Sequence, residues 1–377
     1  MSSERSYDLA IAGGGLAGLS LSILLASKGW RVVLFEKESY PFHKVCGEYI
    51  SMESWDFLVS SGVPLADWNL PRMHELYLTS PEGKGINAPL PLGGFGISRY
   101  KLDACLADLA RKAGVDIFEN TIVHELKFEQ GRHLIETTAG SFTSTTATAC
   151  YGKKSNLDVK WKRSFLTNSI SKNYVGVKYH VTASLPEGQI ALHNFSGGYC
   201  GISKIENDRY CLCYLSESKN LKNNGQSIQD MERNVLLQNP ELRKIWEQMT
   251  VLYDAPVTIA KINFSKKTQI EDHTLCLGDA AGMITPLCGN GMSMALHSAK
   301  IASELIDLFL HKKITRVVME TSYVKNWRRE FAARLQMGRF IQSFFGNTFW
   351  SSFLIAVMKP FPVLIRTMIR KTHGEKF

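Results

Sequence analysis

The chain has 377 residues, 45% of them hydrophobic and 21% charged, so a sizeable core can be buried in one large domain or two interlocked ones without disulfides. Its formal net charge of +9 comes from scattered lysines and arginines, and the lack of a basic stripe or recognition motif excludes a nucleic-acid-binding module. The eight cysteines form no C-x-x-C pair and no zinc-spaced group with histidine, so reduced thiols in a cytoplasmic protein are expected.

Polar residues lead straight into Tyr7-Asp-Leu-Ala-Ile-Ala12, a short apolar run ending in glycines, and no signal peptide is expected there. Leu16 to Lys28 reads as a helix and Arg31 to Phe35 as a second strand, which makes a β-α-β unit. Ser39 to Ser51 is a loop carrying Pro41, His43, Lys44, Cys46, Gly47 and Glu48. A helix is predicted from Met52 to Ser60, a strand from His74 to Thr79, and a Gly/Pro-rich connection up to Gly96. Tyr100 to Lys112 has helical periodicity, with Leu102, Leu106, Leu109 and Ala110 on one face. Ile122 to Ala149 reads as a β-meander broken at Gln130-Gly131 and Ala139-Gly140, and Tyr174 to Leu215 is again β-rich. Helices follow over about Ile228 to Met249, strands over Thr258–Phe264 and Thr274–Leu277, then long helices over Gly291–Leu310 and Val317–Phe345.

Phe340 to Met358 contains no charged residue, which meets the length criterion for a membrane helix. Seven small or polar residues, among them Gln342, Gly346, Asn347 and Ser351, interrupt it, and Lys359, Arg366, Arg370 and Lys371 follow. The preferred reading is helices packed over a substrate cavity, with an interfacial amphipathic contact as the alternative and a true span third.

The fold class is α/β. A Rossmann-like nucleotide domain is assembled from residues 1–72, 97–160 and 266–312, with an inserted β-sheet substrate domain (73–96 and 161–265) and a helical C-terminal region (313–377).

Gly13-Gly-Gly15-Leu-Ala-Gly18 matches G-x-G-x-x-G after a strand and at a helix start, where glycines allow a tight turn, close approach of a diphosphate and close helix–strand packing. The free N–H groups of the first turn, at Leu16 and Ala17, favour phosphate. Glu36, followed by Lys37, ends the second strand where an acid binds ribose hydroxyls, and its charge disfavours a 2′-phosphate. The nucleotide is then FAD or NAD. A second motif decides between them: Thr274 to Ala281 is a strand ending in Gly278-Asp279, and Pro286 and Gly289-Asn290-Gly291 lead into a helix at Met292. An acid there can accept from ribityl hydroxyls, glycines admit a flat ring, and the helix start offers N–H groups to its polar edge. NAD has no ribityl chain, so FAD is expected.

These motifs, with Lys44-Val-Cys46-Gly47-Glu48 and Ser98-Arg99-Tyr-Lys-Leu-Asp103, resemble the flavin monooxygenase and geranylgeranyl reductase superfamily with the p-hydroxybenzoate hydroxylase fold, over nearly the whole chain. The resemblance implies that Arg99 contacts FAD, that Asp279 binds ribityl oxygen, that Gly289 to Gly291 border the isoalloxazine and that the Lys44–Glu48 loop lies near the ring. The subgroup most similar is associated with type III polyketide synthases and is thought to hydroxylate or reduce phenolic lipids. Two departures stand out. Cys150 to Asp158 replaces the G-A-D-G stretch that helps bind flavin and reduced nicotinamide, which puts direct reduction by NAD(P)H in doubt and leaves a separate reductase open. Gly198-Tyr-Cys-Gly-Ile-Ser-Lys204 lacks the Trp and Pro of the matching reductase segment and the W-x-W-x-I-P of flavin halogenases.

The reading is an FAD-dependent oxidoreductase, a hydroxylase of an aromatic or phenolic-lipid substrate ahead of a double-bond reductase, with a non-catalytic FAD-binding protein as the third option. Cys46 is the candidate proton donor, Lys44 the cation that balances anionic reduced flavin, and Glu48 (with His43) a candidate acid or base. His193, Tyr199 and Tyr210 fall in the region covering the substrate, in structural more than catalytic roles. A hydrophobic or aromatic small molecule is the expected partner, and peripheral membrane contact stays open.

Overall fold

In the computed structural model, which describes residues 6–166, 173–285, 289–344, 348–360 and 362–377, the apolar run Ser6–Ala12 is a central strand of the first sheet. It pairs in parallel with Val32–Phe35 on one side and Gly140–Ala149 on the other. Asp116–Phe118 extends the sheet past Val32–Phe35, and Thr274–Cys276 extends it past Gly140–Ala149, both in parallel. Strands from the two ends of the chain thus meet in one sheet. Leu9, Ile11, Val32 and Leu34 face the helices Leu16–Ala26, Arg99–Lys112, Gly291–Leu310 and Arg316–Phe344. Ala10, Ala12, Val33 and Phe35 alternate to the other face, which the meander strands Val123–Glu129 and Arg132–Thr137 cover with Leu126 and Ile135.

The second sheet runs, in spatial order, Thr250–Val251, Tyr174–Thr182, Tyr210–Glu217, Gly198–Lys204, Gln189–Phe195, Arg72–Thr79, Gly85–Gly96 and Tyr49–Ser51, with Val257–Ile262 also on Tyr174–Thr182. Val175, Val177, Ala191, Ile202 and Leu212 bury one face against Met231, Leu236 and Leu242 of short helices. The other face carries Leu78, Leu192, Tyr199 and Leu215 beneath Met283, Ile355 and Ile365.

Two departures from the predicted elements have a clear local cause. Gly85–Gly96, expected as a loop, is a twelve-residue strand. Ile86, Ala88 and Leu90 are buried and Asn87, Pro89 and Pro91 exposed, so the prolines occupy outward positions of a period-2 pattern that their presence obscured. The helical stretch Ile228 to Met249 divides into Ile228–Asn234, a 3₁₀ turn Leu236–Gln238 and Pro240–Gln248. Asn239 causes the last break, because its side chain accepts from the Glu241 and Leu242 N–H groups ahead of Pro240 at N1. Among the described residues, no helix is long and apolar enough to cross a membrane.

Candidate FAD site

The glycines of the first turn serve different ends. Gly13 sits at φ +111°, and a Cβ there would lie 2.6 Å from the Cys150 carbonyl group. A Cβ on Gly18 would overlap the Gly13 carbonyl oxygen, so this glycine sets the closeness of helix to turn. Gly15 is different: its Cβ would meet only Arg99 Nη2 at 3.7 Å and Lys44 Nζ at 3.8 Å. It is the N-cap of Leu16–Ala26 and offers no side-chain cap, so the first-turn N–H groups of Leu16 and Ala17 stay available. Two cations therefore face an open glycine backbone at a helix N-terminus, a cradle that fits a diphosphate.

Asp103 holds the cations there. It accepts from Arg99 Nε and Nη2, both at 2.6 Å, and pairs with Lys44 at 3.2 Å. Burial opposes its ionisation, but Arg99 and Lys44 hold its carboxyl below the usual range. Glu36 is buried beside the turn, accepting from the Gly14 N–H at 2.9 Å and the Glu38 N–H at 3.2 Å, with lone pairs left for sugar hydroxyls. Lys37 is turned to solvent and pairs with Glu38 at 3.4 Å, which sets its side chain apart from this group. Lys44 stands at the diphosphate cradle, a different place from the one expected of a charge balancing the flavin ring.

The second motif arrives next to the first. Gly278, at φ +57°, would place a Cβ 3.6 Å from the Cβ of Ala17 and 3.3 Å from that of Ala295, so Asp279 emerges beside the helix that starts at Gly15. The Asp279 carboxylate makes no hydrogen bond or ion pair among the described residues and is partly exposed, as an acceptor for ribityl hydroxyls must be. Its backbone is fixed by side chains that motif reading missed. Lys267 Nζ donates to the Asp279 carbonyl (2.9 Å), Arg163 Nη1 to that of Ala280 (2.9 Å) and Gln269 Nε2 to that of Ala281 (3.1 Å). Arg163 is fully buried, and also binds Asp158, Tyr151, Glu271 and Thr268. Beyond, Gly289 has φ +62° and a Cβ there would touch the Tyr49 ring at 3.0 Å. Gly291 and Met292 begin the Gly291–Leu310 helix, which has no side-chain cap. Asn290 directs its amide elsewhere, with Nδ2 donating to the Thr372 carbonyl at 2.8 Å. Pro286 lies outside the described residues.

The loop Lys44–Glu48 lies along the second sheet. Because side chains alternate, Lys178 and His180 project from Tyr174–Thr182 on the face opposite Val177 and Val181. Fully buried Glu48 ion-pairs with Lys178, bonds His180 Nε2 at 2.6 Å, and accepts from the Arg99 N–H at 2.8 Å. Ser203 Oγ donates to the Gly47 carbonyl at 2.9 Å and Cys211 Sγ to that of Cys46 at 3.2 Å. Burial disfavours the Glu48 anion, yet Lys178 and His180 outweigh it and hold the carboxyl at about 2. Such a group has no proton to give near neutral pH, so Glu48 anchors the loop and does not suit an acid's role. His43, stacked on Tyr100 at 4.7 Å, is lowered to about 4 by burial and the nearby Lys178, and is neutral near pH 7. Cys46 is half-buried on this loop. Tyr199 is on the apolar face, whereas His193 (Nδ1 to Thr79 Oγ1, 2.9 Å) and Tyr210 belong to the opposite, helix-covered one.

Residues 6–133 match the model of the FAD binding domain family. Conditioned medium factor receptor 1 of Dictyostelium discoideum is 25% identical over 388 residues, covering 90% of this chain and 72% of the relative. A solved flavin-dependent brominase has a TM-score of 0.80 at 18% identity, covering 98% of this chain and 93% of its own. A geranylgeranyl bacteriochlorophyll reductase-like protein from Thermoplasma acidophilum also gives 0.80 at 18% identity, covering 99% and 97%. Residues 6–133 are thus similar to an FAD binding domain, and the chain has the α/β fold of the solved brominase and reductase-like structures.

Proposed function

We propose that the chain is an FAD-dependent monooxygenase that hydroxylates an aromatic substrate with apolar character, of the phenolic-lipid kind. The observation that carries this reading is the apolar face of the second sheet beside the Lys44–Glu48 loop. Leu78, Leu192, Tyr199 and Leu215 form it, and Met283, Ile355 and Ile365 cover it. A substrate entering between these two apolar layers would have its ring or chain held and water kept from the reacting atoms.

Bound FAD would supply electron transfer and the activation of oxygen. Gly13, Gly15, Gly18, Leu16, Ala17, Arg99 and Lys44 would hold its diphosphate, Glu36 its ribose and Asp279 its ribityl chain. Gly278, Gly289, Gly291 and Met292 would border the ring end. Glu48 fixes the loop that carries Cys46, and anionic Glu48 and neutral His43 leave no strong acid beside it. An oxygen transfer to an electron-rich ring needs none at the substrate carbon.

The second reading is reduction of a polyprenyl or enone double bond, and one observation favours it. Tyr49, against Gly289, is buried and its hydroxyl has no hydrogen-bond partner among the described residues. Burial and the nearby Glu53 raise its pKa, so it keeps a proton that a substrate carbon could take. Incubating the flavin-loaded protein with lipid extracts, with NAD(P)H or a separate reductase as electron source, tests both. A product heavier by one oxygen atom, formed only in air, supports hydroxylation. One heavier by two hydrogens under strict anaerobiosis replaces it with reduction.

A further inference from the structure

The helix Thr348–Met358 presents an unusual surface. Its exposed positions include Phe349, Trp350, Phe353, Ala356 and Val357, spaced i, i+1, i+4, i+7 and i+8, the spacing of one continuous helical face. On the opposite side Ser351 and Ile355 are buried. The helix thus turns a wholly apolar stripe outward, with Phe349 at 69%, Trp350 at 45% and Phe353 at 51% exposure. Phe340, at the end of the preceding helix, is exposed too, and every exposed Phe and Trp among the described residues lies between 340 and 353. The rings pack on one another (Phe349–Trp350 5.4 Å, Trp350–Phe353 5.9 Å, Phe344–Trp350 6.2 Å between centroids), which makes one patch of them. Contiguous exposed apolar surface of this kind marks a contact site.

Charge identifies the occupant. No acidic or basic residue occurs from Phe340 to Met358, Arg339 and Lys359 bracket the stretch, and the whole chain carries +9. Neither cation has an ion pair among the described residues. Aromatic residues collared by Lys and Arg are the composition of a helix lying at the boundary of an anionic bilayer. Among the described residues no helix is long and apolar enough to cross, so the contact proposed is a peripheral one.

We propose that the outward face of Thr348–Met358 seats this protein on the anionic surface of a lipid bilayer. The inner face of the same helix supplies Ile355 to the apolar layer over the second sheet. An apolar substrate leaving the membrane would meet that layer first. This last step rests on the function proposed above, whereas the docking does not.

Flotation of the FAD-loaded protein with vesicles tests the docking without any turnover, so its failure is separate from a failure of the enzymatic reading. Two compositions are needed, phosphatidylcholine alone and phosphatidylcholine mixed with phosphatidylglycerol. The parent protein floats with the mixed vesicles. The triple variant Phe349→Ser, Trp350→Ser, Phe353→Ser, which changes only exposed positions and keeps its FAD and thermal midpoint, floats at least about tenfold less. Lys359→Glu reduces flotation with mixed vesicles and leaves the phosphatidylcholine arm unchanged. Parent protein that stays unfloated with both compositions overturns the proposal, as does a triple variant that floats like the parent. So does a parent dimer that binds no vesicles and that the triple variant turns into a monomer, because the patch is then a subunit interface.

Discussion

The backbone N–H of Arg99 donates to the Oε1 of Glu48 at 2.8 Å, and through it the loop beside the second sheet fixes the start of the helix whose first side chain reaches the glycine cradle. The same carboxylate meets Lys178 and His180 on that sheet. One buried anion therefore sets three elements relative to one another.

Glu48→Gln keeps an acceptor for the Arg99 N–H but leaves Lys178, 1% exposed, without its counter-charge. Breaking a buried ion pair from one side costs on the order of 3–5 kcal/mol. Denaturant unfolding should show a loss of that order, together with weaker FAD retention as Arg99 loses its register. Adding Lys178→Met should recover much of the stability, since the uncompensated charge is gone. A single variant as stable as the parent would mean that Glu48 holds nothing together.

Gly15 and Gly18 should fail differently when changed to alanine. At Gly15 the new methyl meets only the ends of the long side chains Arg99 and Lys44, so the fold should survive within about 0.5 kcal/mol. The methyl then occupies the space where a diphosphate approaches the backbone, and FAD affinity should fall by roughly a hundredfold or more, read by flavin fluorescence titration. At Gly18 the methyl overlaps the Gly13 carbonyl, so the protein itself should lose stability, by about 1–3 kcal/mol, before any ligand is added. Equal stability of the two variants would contradict these separate roles.

The two nucleotide motifs were legible because their chemistry is local: a glycine turn after a strand and an acid after another strand are visible within twenty residues. The parallel pairing of Ser6–Ala12 with Gly140–Ala149 and, beyond it, of Gly140–Ala149 with Thr274–Cys276 joins strands more than a hundred positions apart, and no local pattern announces it. Arg163 was not legible, because its partners at Thr268 and Ala280 are 105 and 117 positions away and no spacing announces them. Lys178 and His180 share a strand face in plain alternation, but only the folded chain brings Glu48 to them, 130 and 132 positions off. Gly85–Gly96 was hidden by its prolines. Lys44 was assigned to the ring by its place in a motif, and the folded loop sets it against Gly15 and Asp103.

Asp279 and Arg163 separate binding from support. The Asp279 carboxylate makes no hydrogen bond or ion pair among the described residues, so Asp279→Ala should leave unfolding within about 0.5 kcal/mol of the parent. It removes the carboxylate proposed to accept from the ribityl hydroxyls, and FAD should bind at least about tenfold more weakly. Arg163→Met should invert the pattern. It strips buried Asp158 of its cation and leaves the Ala280 carbonyl unbonded, with a loss of about 3–5 kcal/mol even without flavin. Parallel equilibrium unfolding and flavin titration on both variants decide the matter.

Acid should weaken the fold in two overlapping windows. His133 and His193 are pushed down by burial, to about 3 and about 4, from an ordinary value of 6.5. The unfolded chain takes up these protons first, so stability falls as pH drops below about 6.5, by up to roughly 3 kcal/mol for His193 and roughly 5 for His133. Glu48, at about 2 in the fold against an ordinary 4.5, adds a second loss below about pH 4.5. His133 offers the cleaner test. It lies in the meander sheet next to Phe128 at 4.9 Å, and neither ring nitrogen has a hydrogen-bond partner among the described residues. An apolar His133→Leu side chain removes a proton-binding site and two unsatisfied polar atoms while keeping comparable bulk. The variant should match or exceed the parent at pH 7 and should lose less stability between pH 6.5 and about 3, while the loss that Glu48 contributes below pH 4.5 remains. Thermal midpoints collected across that range would show it, and a variant with the parent's full upper window would remove His133 as a source of the acid sensitivity.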